Sequence, residues 1–267
     1  MARCPVCEGK AIPSGRELGG FKLYACLSCE LRFAPEAFDV AVNYTDVYET
    51  PEYIESQVEA VANCADPRTF ADMASYRPFF QCARQPVGAT LIDLGCGVGR
   101  FCQAASAYGW NVGGIDISER AISIGRRYAK FSMRNMSIEE LLARDERYDV
   151  ATAFEVLEHL SNPGKFLVQM RTLLKPDGQI FCTVPNWNCS EVQNAIQRDW
   201  LPPIHLLFFT KSSLAEAARR ADLRNIVVGE IWCDSFPAKW SRRARWIVRR
   251  ILRGPRSPLG LWLHASG

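Results

Sequence analysis

Two clusters of residues in this 267-residue chain can do chemistry. The first is Cys4-Pro5-Val6-Cys7 with Cys26-Leu27-Ser28-Cys29, two C-x2-C pairs with 18 residues between them. Each pair can form a tight knuckle that offers two thiolates to one tetrahedral ion, and the spacing matches a four-cysteine zinc site. Iron can use the same four ligands. A closed four-thiolate site leaves no open coordination position, so Cys4, Cys7, Cys26 and Cys29 read as structural ligands. The stretch between the pairs, with Gly19-Gly20, reads as a hairpin that brings them together. The second cluster is Leu91-Ile92-Asp93-Leu94-Gly95-Cys96-Gly97-Val98-Gly99-Arg100-Phe101. An apolar strand over 89–94 runs into a loop with glycines at alternate positions, and a helical pattern follows over 100–108. Glycine, lacking a Cβ, lets backbone N–H groups approach a ligand closely where a strand becomes a helix.

The ligand of that loop is not a dinucleotide. The dinucleotide fingerprint needs a third glycine three residues after the second, and Arg100 stands there. The pattern is instead D-x-G-x-G-x-G, with Asp93 two residues ahead of Gly95. A carboxylate at that place repels a pyrophosphate but suits a ligand that carries an ammonium and a sulfonium. A second acid, Asp116, ends the next strand and is placed to accept the hydroxyls of a ribose.

The elements that must hold these residues alternate. They read as strand 89–94, helix 100–108, strand 111–116, helix 118–129, a short strand near 131–134, strand 148–154, helix 162–173 and strand 178–184. Ser118 is an N-cap, and Asn162-Pro163 starts a helix with proline in its first turn. Such alternation implies a parallel sheet. The expected fold is therefore α/β and doubly wound: a Rossmann-like, mostly parallel sheet with helices on both faces, preceded by a small zinc ribbon. The expected divisions are a ribbon over 1–40, a helical connector over 41–84 (helices 52–62 and 67–83), the cofactor-binding domain over 85–235, and a basic segment over 236–267.

At this point the chain resembles the class I S-adenosylmethionine (SAM) methyltransferases. Three further motifs carry the resemblance, in the right order: Tyr148 to Leu160 with its Glu155-Val156-Leu157-Glu158-His159-Leu160 turn, Leu174 to Phe181, and His205-Leu206-Leu207-Phe208-Phe209-Thr210. The last is similar to a segment of the branch that contains quinone-biosynthesis and sugar-modifying methyltransferases, many of which carry a zinc ribbon. The resemblance implies that SAM is the cofactor. Asp93 would orient its ammonium through backbone or water, while Gly95, Cys96, Gly97 and Gly99 let the main chain pass its carboxypropyl arm. Asp116 would clasp the ribose, Ile117 lie against the adenine, and Ser137 and Ile138 meet the adenine amine and face. Phe154 and Glu155 would lie beside the methionine moiety. It also implies a seventh, antiparallel strand, for which Leu259–His264 is the one weak candidate after strand 225–232.

Methyl transfer from a sulfonium needs alignment and exclusion of water more than a reactive protein group. Two histidines nevertheless stand out. His205, in the long aromatic stretch 185–209, suits the role of proton acceptor if the methyl acceptor is a hydroxyl. Pinning that loop is the alternative. His159 shares a helical face with Glu155 and reads as closing the turn, although some quinone O-methyltransferases use this turn for a divalent metal.

Composition sets the remaining bounds. Eleven cysteines, an odd number, argue for reduced thiols rather than a disulfide framework. No signal peptide is legible and no apolar run reaches the roughly 18 residues of a membrane span, so a cytoplasmic location is expected. Residues 239–267 hold eight basic groups and no acid; removing these from the chain's 32 leaves 24 against 29 acidic groups. Trp240 to Arg253 reads as a basic amphipathic helix, suited either to packing on the domain or to peripheral contact at the inner face of an anionic membrane. The acidic body disfavours nucleic acid. The expected activity is SAM-dependent methylation, with oxygen as the methylated atom, of a small-molecule, glycan or lipid-linked acceptor. A zinc-ribbon RNA base methyltransferase is the alternative, and a SAM-binding scaffold without activity is disfavoured by the intact loop and acids.

Overall fold

The computed structural model of the chain describes residues 2–40, 50–83, 88–189, 193, 200–232 and 258–267. The expected helix 240–253 lies outside the described residues.

The N-terminal segment holds four strands and a 3-10 turn at Pro35–Ala37. β1 (Ala2–Arg3), β2 (Lys10–Leu18), β3 (Phe21–Cys26) and β4 (Arg32–Phe33) pair antiparallel in chain order, with the β2–β3 hairpin turning at Gly19-Gly20. Their small core (Leu23, Leu31, Phe33, Ala37) is fully buried and merges with that of the main sheet. The connector holds α1 (Pro51–Ala62), a 3-10 turn at Pro67–Asp72 and α2 (Arg77–Cys82). The single helix expected over 67–83 is thus broken, because Pro78 fits only a first helical turn and forces a new start at Arg77.

The body follows the expected alternation: β5 (Thr90–Leu94), α3 (Arg100–Ala107), β6 (Asn111–Asp116), α4 (Glu119–Gly125), β7 (Ser132–Asn135), β8 (Tyr148–Phe154), α6 (Pro163–Thr172) and β9 (Leu174–Pro185), with one short helix between β7 and β8 that was not expected, α5 (Ile138–Leu142). The caps read from sequence are formed, with Ser118 accepting from the Ala121 N–H and Asn162 from the Lys165 N–H. Then follow β10 (Leu207–Phe208), α7 (Lys211–Arg220), β11 (Arg224–Trp232) and β12 (Pro258–Ser266).

Seven strands form one sheet in the order β11-β12-β9-β8-β5-β6-β7, parallel from β9 to β7. The central strands are apolar on both faces, as parallel strands under two helical layers must be. Ile92 and Leu94 face the layer of α5, α6 and α7; Leu91 faces that of α2 and α3. β5 lies between β6 and β8, so the chain reverses direction across the sheet there, and a crevice opens beyond the C-terminal ends of those strands.

β12 runs antiparallel between β9 and β11 over nine residues, so the weak seventh-strand candidate is an interior strand of the sheet, one in from its edge. Its Trp262 stacks on Phe181 of β9 and covers Gly229 of β11, where a Cβ would lie 2.2 Å from the indole. The smaller sheet is also wider than expected. Its order is β1-β2-β3-β4-β10, so the ribbon takes its fifth strand from residues 207 and 208.

Candidate active site

A cleft of about 1640 Å³ opens at the switch point. Its floor is the glycine loop. Gly95, Gly97 and Gly99 all have positive φ (79°, 54° and 83°), which glycine adopts without steric cost and which brings successive main-chain groups to the surface. Gly95, Cys96, Gly97, Asp116, Ile117, Ser137, Ile138, Phe154, Glu155, His159 and His205 all line this one cleft. Asp93 and Gly99 lie behind it: Gly99 backs onto Met133, and Asp93 is 2% exposed beneath the loop.

Asp93 accepts from the Thr152 hydroxyl at 2.7 Å and from the Cys102 thiol at 3.6 Å. Burial pushes its carboxyl up to about 7 against the pull of these hydrogen bonds. Asp93 therefore supports the loop from below and does not itself line the cleft. Asp116 holds the loop from the other side, accepting from the Gly97 N–H and the Ser118 N–H, both at 2.8 Å. Ile117 is 70% exposed beside it, an apolar surface that a flat ring could cover. Ser137 caps α5 in a reciprocal pairing with Glu140, so its hydroxyl accepts from the Glu140 N–H while its edge faces the cleft.

At the end of β8 the backbone of Glu155 enters the left-handed region (φ 55°), an uncommon conformation for a side chain with a Cβ. Thr183 holds it there: the Glu155 N–H donates to the Thr183 carbonyl at 3.0 Å, and the Thr183 hydroxyl donates to Oε1 at 2.8 Å. Such a kink at a strand end is where strain is found in working sites. It starts the 3-10 turn Leu157–His159, which carries Glu158 and His159. Nδ1 of His159 lies 2.9 Å from the Ile204 carbonyl. Only an N–H can bond a carbonyl, so Nδ1 bears a proton.

His205 is 6% exposed, with its ring 4.7 Å from that of His159 and stacked 6.0 Å from Trp200. Burial and the neighbouring His159 hold it well below the ordinary imidazole range, so it is neutral with a lone pair available. Glu158 is fully buried, and neither carboxylate oxygen has a hydrogen-bond partner. Burial pushes it well above the usual carboxylate range. Ligand atoms of Glu158, His159 and His205 lie within 4.8 Å of one another, a set that can hold a metal ion or accept from hydroxyl donors.

Sequence reasoning missed several of these groups. Tyr76 of the connector packs against Phe154 and Phe101 and lines the cleft, which no spacing rule reveals. Arg100 begins α3 with a buried, unpartnered Nε and with Nη2 donating to the Ser56 carbonyl. Its position just past the glycine loop was the available signal. Away from the cleft, the four ribbon thiols are buried, with Cys4 Sγ 3.6 Å from Cys29 Sγ and Cys7 Sγ 3.4 Å from Cys26 Sγ. A tetrahedron with metal–sulfur bonds of about 2.3 Å has edges of roughly 3.8 Å, so the cage fits such an ion.

The comparisons with known proteins agree with this geometry. A family model described as a methyltransferase domain matches residues 67–228. The chain is similar to the ubiquinone biosynthesis O-methyltransferase of Cereibacter sphaeroides, 35% identical over 149 residues, which are 51% of this chain and 60% of that relative. It therefore spans under two thirds of that relative's length. A SAM-dependent methyltransferase from Thermotoga maritima (16% identical, TM-score 0.60, covering 83% of this chain and 99% of that one) shares the fold. So does one from Archaeoglobus fulgidus (18%, TM-score 0.57, covering 80% and 100%). Because the family match extends over more than half of its length, the chain belongs to the methyltransferase domain family.

Proposed function

We propose that this protein transfers the methyl group of SAM to a hydroxyl of a small-molecule acceptor. The observation that carries the reading is the single cleft in which the glycine loop and Asp116 meet half-buried His159 and buried His205. Bound there, SAM supplies a methyl carbon already activated by its sulfonium. Asp116 suits the ribose hydroxyls as an acceptor, Ile117 and Ile138 suit the adenine faces, and the Arg100 guanidinium at the start of α3 suits the carboxylate of the methionine arm. Asp93 acts from below, through the loop it supports. Phe154 and Tyr76 wall off water around the methionine arm.

On the acceptor side, neutral His205 takes the hydroxyl proton as the oxygen becomes methylated, and protonated Nδ1 fixes His159 beside it. A carboxyl oxygen of Glu158 lies within 4.8 Å of a ring nitrogen of His205, close enough for the two to share that proton. The eight basic groups of 239–267 support a glycan or lipid-linked acceptor presented at an anionic surface, with the protein peripheral to the membrane. No helix among the described residues is long and apolar enough to cross a membrane. The ribbon thiolates suit zinc as a structural ion.

Incubation with methyl-labelled SAM and fractionated host extract tests the reading. Base-stable label in a phenolic or hydroxylated small-molecule, lipid or glycan fraction is expected. Label confined to RNA or protein would overturn it.

A further inference from the structure

The ribbon and the acceptor side of the cleft share a strand. Leu206, next to His205, bonds in both directions. Its N–H donates to the Glu158 carbonyl at 2.8 Å, and its own carbonyl accepts from the Ala34 N–H of the ribbon at 3.1 Å. The next two residues are β10, which pairs antiparallel with β4: Leu207 opposite Phe33, Phe208 opposite Arg32. Phe209 then returns to the body, its carbonyl accepting from the Trp187 N–H at 2.8 Å. Four residues, 206–209, therefore stitch the ribbon to the body and to the turn that carries Glu158 and His159.

β4 itself depends on the cysteine cage. It follows Cys29 by three residues, and the Cys26 N–H donates to the Leu31 carbonyl at 2.9 Å, closing the knuckle from which β4 leaves. Strands of two residues have no independent stability. A ribbon of about 40 residues with so small a core needs its metal to fold. The hairpin tip makes a second contact, since a Cβ on Gly19 would lie 2.7 Å from the Pro202 carbonyl. Arg16 adds a third, donating to Gln193 Oε1 at 2.8 Å with its guanidinium 5.2 Å from the Trp187 ring. The donor side has no such link among the described residues. β5 and β6 pair only within the seven-stranded sheet.

We propose that the metal-folded ribbon is a positioning element for the acceptor half of the active site alone. Through Ala34, β4 and β10 it fixes where His205 stands relative to the Glu158–His159 turn, and the donor half does not depend on it. The proposal rests on the reading of His205 as the acceptor-side group, but its test does not use turnover.

The test is hydrogen exchange on the full metal-loaded chain, before and after removal of the metal by a chelator, combined with SAM titration calorimetry. Amides of Leu206, Leu207 and Phe208 should exchange at least about tenfold faster after metal removal, while those of 92–97 and 113–116 are unchanged and the SAM Kd stays within about twofold. Ala34→Pro deletes the one N–H that donates to Leu206 and leaves all four sulfurs in place. It should keep its metal and its SAM affinity. It should also broaden the His159 Nδ1–H proton resonance, which reports the bond to Ile204. Unchanged exchange at Leu206 to Phe208 without metal, loosening that is equal in both halves, or a sharp His159 signal in the Ala34→Pro protein would overturn the proposal. If His205→Gln leaves turnover intact while these exchange results hold, the acceptor reading fails and the positioning stands.

Discussion

Asp93 supplies a sharp physical test. Its carboxyl is 2% exposed, takes hydrogen bonds from Thr152 and Cys102, and forms no ion pair among the described residues. Burial raises it to about 7. An unfolded aspartate titrates near about 3.9, so between these values the folded chain keeps a proton that the unfolded chain has released. Stability is then fully present below about pH 4 and falls as pH rises towards 7. Roughly three units at about 1.4 kcal/mol each make the loss about 4 kcal/mol at pH 8. Asp93→Asn keeps the volume and the acceptor for Thr152 but removes the titration. Urea unfolding without SAM should find the variant more stable by about 1.5 kcal/mol at pH 5, widening to about 4 kcal/mol at pH 8. A difference that does not change with pH would show that Asp93 is ionised in the folded protein and would refute the argument. The cationic donor should reverse the effect, because its charges favour the carboxylate. SAM binding near neutral pH should therefore release a proton, and Asp93→Asn should bind SAM more weakly at pH 8. Calorimetry in two buffers of different ionisation enthalpy reads both.

Other substitutions separate the two halves of the site and probe the sheet. Asp116→Ala removes the acceptor for the Gly97 and Ser118 amides, and should weaken SAM binding by about tenfold or more in calorimetry. Unchanged affinity would remove the cofactor assignment. His205→Gln should lower kcat by about 10² to 10⁴ on the acceptor fraction found with labelled SAM, and leave the SAM Kd within about twofold. Gly229→Ala places a Cβ 2.2 Å from the Trp262 indole and should cost about 1–3 kcal/mol in urea unfolding. A neutral result there would mean that β11 and β12 pack differently.

What could be read from the sequence was whatever depends on local pattern. Alternating apolar runs, the caps Ser118 and Asn162, and the glycines at 95, 97 and 99 each act through near neighbours in the chain, so strands β5 to β9 and the floor of the cleft were legible. β12 was not. Pro258-Leu259-Gly260-Leu261-Trp262-Leu263 lacks the polar alternation of a half-exposed strand because it is covered on both faces and paired on both edges. The facing of Asp93 was hidden for a related reason. The motif places it at the strand end, but whether the carboxyl points up to the ligand or down to Thr152 depends on β8, 59 residues away. β10 is two residues long and exists only because β4 is beside it, which no propensity can foresee. Glu158, read only as part of a turn, becomes notable when its two oxygens prove to be buried without partners.

The attachment of the ribbon to one half of the site has a chemical consequence. The donor side is built where β5 and β6 end, and its glycines and acids suit a ligand that does not vary. The acceptor side is built on the 200–209 segment, clamped between the ribbon at Ala34 and the body at Glu158 and Trp187. Changes in that clamp act first on His205, because the ribbon bonds to the 206–208 segment and not to Asp116 or the glycine loop among the described residues. A chain built this way can change its acceptor by altering the ribbon face and the 185–209 stretch while its donor affinity is conserved. Differential binding in the transition state then resides in how closely His205 is held to the reacting hydroxyl, since a displacement of about 1 Å there can cost about 10²-fold in rate.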